Sequence, residues 1–193
     1  MTSYNRKRNN TTSNFQQIEK ILRGDRPSNA LDICRHRVSI ITGHYGTGKT
    51  EFAVNLALKM AEEGAGVMLA DLDIVNPYFR SREGKKMLEA AGVRVISSSQ
   101  ECSDADVPAL PAELLTILEN REIRGVLDIG GDPVGARVLA RFQPKIVQVD
   151  YQLIFVLNAN RPEVRDAESA AAYLRSIEAV TGLTCSGLVN NTP

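Results

Sequence analysis

The stretch VSIITGHYGTGKT, residues 38–50, decides the reading of the fold: an apolar run, Val38–Thr42, enters a glycine-rich turn and passes directly into Lys49 and Thr50. A buried strand, then Gly-x4-Gly-Lys-Thr, then a helix is the context in which this spacing cradles phosphate. Gly46 and Gly48 let the backbone curl so that successive N–H groups turn toward anionic oxygens, and the positive end of the following helix adds attraction. Lys49 would reach the β- and γ-phosphates of a nucleotide, and Thr50 would offer its hydroxyl to Mg²⁺. Gly43, His44, Tyr45, Gly46, Thr47, Gly48, Lys49, Thr50 and Glu51 are therefore the candidate nucleotide contacts of the loop and its first helical turn. The competing reading, a glycine-rich turn with a chance lysine, does not account for strand, glycines, lysine and helix occurring in this order.

Outward from the loop, apolar runs at 37–42, 66–72, 93–97, 124–129, 152–158 and 184–190 alternate with helical segments at 49–63, 81–91, 110–120, 133–142 and 162–180. The runs are nearly continuous, as strands read when helices cover both faces of a sheet. Pro133 opens one helix, and Gly64, Gly92 and Gly182 follow the ends of others. The expected fold is α/β: an open, doubly wound, mostly parallel sheet flanked by helices in three α/β/α layers, with ligands at the carboxyl ends of the strands. Residues 1–14 are polar and rich in Asn, Ser and Thr, which predicts a flexible leader. A short helix at 15–24 follows, and residues 15–193 are expected to form one domain with its core from about residue 37.

Two acidic clusters fall where such a fold places its ligand. One strand runs into Asp71-Leu72-Asp73, followed by Asn76-Pro77-Tyr78-Phe79-Arg80; another runs into Asp128-Ile129-Gly130-Gly131-Asp132. Asp128, after Val126-Leu127, stands where a carboxylate holds Mg²⁺ directly or through water. Of Asp71 and Asp73, one would help hold Mg²⁺ and the other orient attacking water, against the plainer alternative of a cap or turn aspartate. Gly130 or Gly131 could give a backbone N–H to the γ-phosphate.

Bulk properties narrow the classes. Lys plus Arg and Asp plus Glu are 23 each, so no strong nucleic-acid signal exists at whole-chain level, and the basic triplet Arg6-Lys7-Arg8 is too small to create one. Cys34, Cys102 and Cys185 form no C-x-x-C pair, and with His36 and His44 they make no metal cluster. No apolar run approaches the roughly eighteen residues of a membrane span, so a cytoplasmic protein is expected.

With these residues in hand the chain resembles, from about residue 37 onward, the SIMIBI class of P-loop NTPases, particularly the MinD/ParA/Mrp-like proteins with a phosphate loop and an Asp-x-Asp strand end. The resemblance implies that Lys49 and Thr50 bind phosphate and Mg²⁺, that Asp73 is the water-orienting aspartate and that Asp128 is the Walker B carboxylate. It also implies that Asn191, or its neighbour Asn190, contacts adenine. Members carry a lysine one residue after the first glycine that reaches across a nucleotide-sandwiched homodimer. This chain has the shorter His44 there, so a homodimer is left open. Relatives continue beyond the position of Pro193, so the domain is expected to be either minimal or C-terminally truncated.

GTP-specific relatives read guanine with Asn-Lys-x-Asp; the segment Asn158-Ala159-Asn160-Arg161 lacks the lysine and the aspartate, which favours ATP. The leading expectation is an Mg²⁺-dependent ATPase acting as a nucleotide-dependent switch for a protein partner. Alternatives are a kinase or ATP-dependent ligase resembling dethiobiotin synthetase, with a small-molecule acceptor at Asn76 to Arg82 and Ser97 to Asp106, a metallochaperone-type GTPase, or a module that binds without hydrolysing.

Overall fold

The computed structural model describes residues 15–20, 22, 35–73, 82–97 and 112–193. After a helical stretch at 15–20 the elements run β1 (Val38–Thr42), α1 (Lys49–Glu62), β2 (Gly66–Leu72), α2 (Arg82–Ala90), β3 (Val93–Ser97), α3 (Ala112–Glu119) and β4 (Ile123–Ile129). They continue with α4 (Pro133–Ala140), α5 (Gln143–Ile146), β5 (Tyr151–Leu157), a 3₁₀ turn (Pro162–Val164), α6 (Ala167–Thr181) and β6 (Gly187–Asn190). The six strands form one sheet in the order β3-β2-β4-β1-β5-β6, and every pairing is parallel. β1 lies between β4 and β5, with β2 and β3 beyond the one and β6 beyond the other. The chain therefore winds away from β1 in both directions, which opens a crevice at its carboxyl end.

Side chains alternate across the sheet with period two. Ile41, Leu69, Val126, Ile154 and Val156 face one layer, where Ala53, Ala57 and Met60 of α1 and Leu88 of α2 cover them. Ile40, Ala70, Leu127 and Phe155 face the other, against Ile117 of α3, Leu139 of α4 and Leu174 and Ile177 of α6, with Ile18 in the same cluster. Helices on both faces make the three-layer sandwich that the near-continuous apolar runs predict. Among the described residues no helix is long and apolar enough to cross a membrane.

Three boundaries differ from the sequence reading. The segment 162–180 is not one helix: Pro162–Val164 forms a 3₁₀ turn, and α6 starts only where Asp166 accepts a hydrogen bond from Ser169 N (2.8 Å). The helix expected to reach residue 142 stops at Ala140, and Gln143–Ile146, with Pro144 in its first turn, forms a separate short helix. The last strand begins at Gly187 rather than residue 184; Cys185 N instead donates to the Glu178 side chain (2.8 Å), outside the sheet ladder.

A cleft of about 530 Å³ lies at the opposite, amino end of the sheet, beside Arg37, Glu119, Arg121, Lys145 and Asp150. Arg37 is occupied there as a helix cap: its guanidinium donates to the carbonyls of Ile117, Leu118, Asn120 and Ile123. The crevice at the carboxyl ends is where the sequence-predicted residues gather.

Candidate functional site

The loop 43–48 is held from beneath by its neighbours. A Cβ at Gly43 would strike the Val156 carbonyl of β5, and one at Gly131, after β4, would come within 2.6 Å of Gly43 O and 3.0 Å of Tyr45 N. Thr47 is fully buried, and its N–H (3.2 Å) and hydroxyl (2.8 Å) both donate to His44 O, closing the turn. Gly46 (φ 74°) and Gly48 (φ 84°) occupy the left-handed region that other residues adopt only under strain. Gly48 is also the N-cap of α1 and supplies no side-chain acceptor, so the first N–H groups of the helix remain available to an anion.

Lys49 and Thr50 are the first two residues of α1. Lys49 Nζ is buried and donates to Asp73 Oδ2 at 3.2 Å, with side-chain exposures of 7% and 6%. Asp71 lies beside Asp128 in the pairing of β2 with β4, and its Oδ1 accepts the Asp73 N–H (3.1 Å), which fixes the chain as it leaves the strand. Asp128 is 1% exposed, and among the described residues neither of its carboxylate oxygens has a well-formed hydrogen bond. Burial pushes its pKa up to about 7, while the nearby Thr50 hydroxyl and Lys49 pull it down and Asp71 and Asp73 raise it further. The structure thus brings together Lys49, Thr50, Asp71, Asp73 and Asp128.

Other expected residues divide. Asp132 belongs to a helix cap rather than to the acidic site: its Oδ1 accepts from Val134 N (2.8 Å) and Gly135 N (2.9 Å), with Pro133 in the first turn of α4. Asn190 is exposed and turned to Thr192. Asn191 reaches the loop, where its Nδ2 donates to Thr47 O (2.9 Å) and fills the space a Cβ on Gly48 would need. Tyr45 is 65% exposed at the rim, and Glu51 is exposed on α1. Asn76 to Arg80, most of the segment 97–106, and Cys34 and Cys102 lie outside the described residues. Among the described residues no three His, Cys, Asp or Glu side chains are grouped to hold a metal by themselves.

Two contacts were not legible in sequence. Arg161, in the turn after β5, donates its Nε to Gly46 O at 2.9 Å. Tyr173 of α6 donates its hydroxyl to Gly131 O and meets the His44 ring edge-on at 5.0 Å. Burial, with Asp132 and Glu163 nearby, pushes the Tyr173 phenol up to about 12, so it remains a donor. His44 Nδ1 lies 3.9 Å from Glu163 Oε2, so the residue at the lysine position is engaged within its own chain.

Solved structures share this architecture. The VpsO kinase domain superposes with a TM-score of 0.58 at 18% identity, covering 100% of both chains. Cell division protein FtsY of Thermotoga maritima gives 0.58 at 23% identity, over 93% of this chain and 60% of that one. The kinase domain of the Escherichia coli tyrosine kinase ETK gives 0.56 at 18%, over 82% and 68%. No family model matches the chain. An iron-sulfur cluster carrier protein of Deinococcus radiodurans is 38% identical over 81 residues, which span 35% of this chain and 23% of the carrier. The chain has the fold of the SIMIBI-class P-loop NTPases. Its sequence likeness, over the matched 81 residues, is to the iron-sulfur cluster carrier protein.

The raised pKa of Asp128 makes stability pH-dependent in metal-free protein. An acid whose folded pKa lies above its unfolded value near 4 holds more protons in the native state, so stability falls as pH rises from about 4 to about 7 and then levels. In chelator, Asp128→Asn should flatten that decline, by an amount on the order of a few kcal/mol in urea unfolding at pH 8 and little at pH 4. An identical pH profile in wild type and variant would contradict the burial-driven shift.

Proposed function

We infer that the chain is an Mg²⁺-dependent ATP-binding protein that hydrolyses ATP and uses the nucleotide state as a switch. The observation that carries this reading is the Asp128 carboxylate, buried and, among the described residues, with no well-formed hydrogen bond and only the Thr50 hydroxyl and Lys49 to offset its charge, beside a helix N-terminus that has no side-chain cap. A buried carboxylate is stabilised by a cation, and an open helix N-terminus by an anion; Mg²⁺ bound to a polyphosphate supplies both. The residues fit: Thr50 and Asp128, with Asp71 alongside, would hold the ion, which when bound neutralises charge on the phosphates.

The remaining chemistry belongs to the chain's own groups. The N–H groups of the loop 43–50 bind the phosphates, and Lys49 exchanges its Asp73 partner for phosphate oxygen. Asp73, released from the lysine, orients water toward the γ-phosphate, so catalysis is mostly positioning and electrostatics. Gly131 stands against the loop while Gly130 packs on Gly135 of α4 near Asp73, and Tyr173 links Gly131 to α6. A displacement of that glycine pair on loss of γ-phosphate is therefore carried to a helix that a protein partner can read. ATP is favoured over GTP because residues 158–161 lack the lysine and aspartate of a guanine-reading motif.

The metallochaperone-type alternative draws on the iron-sulfur carrier match. Among the described cysteines, Cys185 does not serve it: burial pushes its thiol up to about 12, keeping it protonated. The kinase or ligase alternative needs an acceptor in segments mostly outside the described residues.

Lys49→Ala should weaken ATP binding by about a hundredfold or more in calorimetry, since it removes a buried charge-assisted contact. Affinity equal to wild type would remove the loop from the account. Asp73→Ala should retain binding while phosphate release falls about a hundredfold, and unchanged turnover would assign water orientation to another group.

A further inference from the structure

Resting on the reading of residues 43–50 as a polyphosphate site, we propose that Arg161 is a positioning residue for that site, bracing the loop rim through the Gly46 carbonyl as Asn191 braces it through the Thr47 carbonyl. The two side chains come from different strand ends, the turn after β5 and the residue after β6, and they take two successive carbonyls of the loop. In a trans peptide the carbonyl and the following N–H point opposite ways. Holding Gly46 O toward Arg161 turns Thr47 N–H away from it, where it closes on His44 O at 3.2 Å. Holding Thr47 O toward Asn191 likewise turns Gly48 N–H to the opposite side of the rim. The Arg161 brace therefore holds the turn that Thr47 N–H closes on His44 O, and the Asn191 brace sets the direction of Gly48 N–H, so the loop is shaped before any ligand arrives, and a pre-organised site binds an anion more tightly than one that must be ordered.

The fit of Arg161 is close. A Cβ at Gly46 would lie 2.8 Å from Arg161 Cζ and Nη2 and 3.0 Å from Nε, so the guanidinium lies over the face of the loop that glycine leaves bare. Glycine at 46 thus serves two ends, the left-handed φ and room for the brace. Nε is the donor spent on the loop, and among the described residues the other guanidinium N–H groups meet no protein acceptor. A permanent positive charge is held at the rim in a chain whose first loop side chain, His44, is turned to Glu163 and Tyr173.

The test is calorimetry of ATP, and of inorganic tripolyphosphate, on wild type, Arg161→Ala and Arg161→Lys, with thermal midpoints measured in parallel. Arg161 is exposed, so the midpoints should agree within a few degrees. Arg161→Ala is expected to weaken both ligands by the same factor, about tenfold. Arg161→Lys, which keeps the charge but lacks Nε, should remain weakened. Unchanged ATP affinity in Arg161→Ala, or full recovery with lysine, would overturn the brace. So would a loss with ATP that tripolyphosphate does not share, including no tripolyphosphate binding by wild type, since the contact would then be to base or sugar. Failure of wild type to bind either ligand would remove the nucleotide reading and this inference with it, whereas tight binding by both wild type and Arg161→Ala would remove this inference alone.

Discussion

Among the described residues, three carboxylates, Asp71, Asp73 and Asp128, are buried at the carboxyl ends of β2 and β4 with one ammonium, Lys49, among them. Lys49 pairs with Asp73, and Asp71 accepts from the backbone, which leaves Asp128 to bear the imbalance. Burying an uncompensated charge costs several kcal/mol, so this corner either takes up protons or takes up a cation. Burial raises Asp128 to about 7, which is the proton solution in the free protein. A cation entering with an anionic polyphosphate is the alternative, and it explains how a site lined by carboxylates could accept phosphate at all.

The rest of the fold serves to hold that corner still. β1 is flanked by β4 and β5 in register, so the loop after β1 is packed against Gly131 from one neighbour and against Val156 and Arg161 from the other. Tight sheet packing on both faces means that the loop is positioned by the core, and small shifts in it are resisted by several elements at once. The Tyr173 phenol joins Gly131 and His44 to α6, which gives the loops a connection to a long surface helix.

Much of this was legible in sequence because it is local. The run Val38 to Thr50 carries strand, turn and helix in one stretch, and Asp128 follows an apolar run at a strand end. The six strands were legible for the same reason, each being a compact apolar segment. What depends on which strands are neighbours was not. Arg161 meets Gly46 only because β5 lies beside β1, and Tyr173 meets Gly131 only because α6 packs against α4, the helix that follows Gly131. Asp132, next to the helix-opening Pro133, caps α4 rather than joining the carboxylates at the strand ends. The short turn at Pro162–Val164 was absorbed into a longer helix because Asp166, the true cap, lies within an otherwise helical pattern.

If the buried Asp128 corner accepts phosphate only together with a cation, ATP titrated into wild-type protein at pH 8 will bind differently in Mg²⁺ and in chelator. The account predicts affinity at least about tenfold tighter with Mg²⁺, and a much smaller difference in Asp128→Asn. Equal wild-type affinity under the two conditions would contradict it.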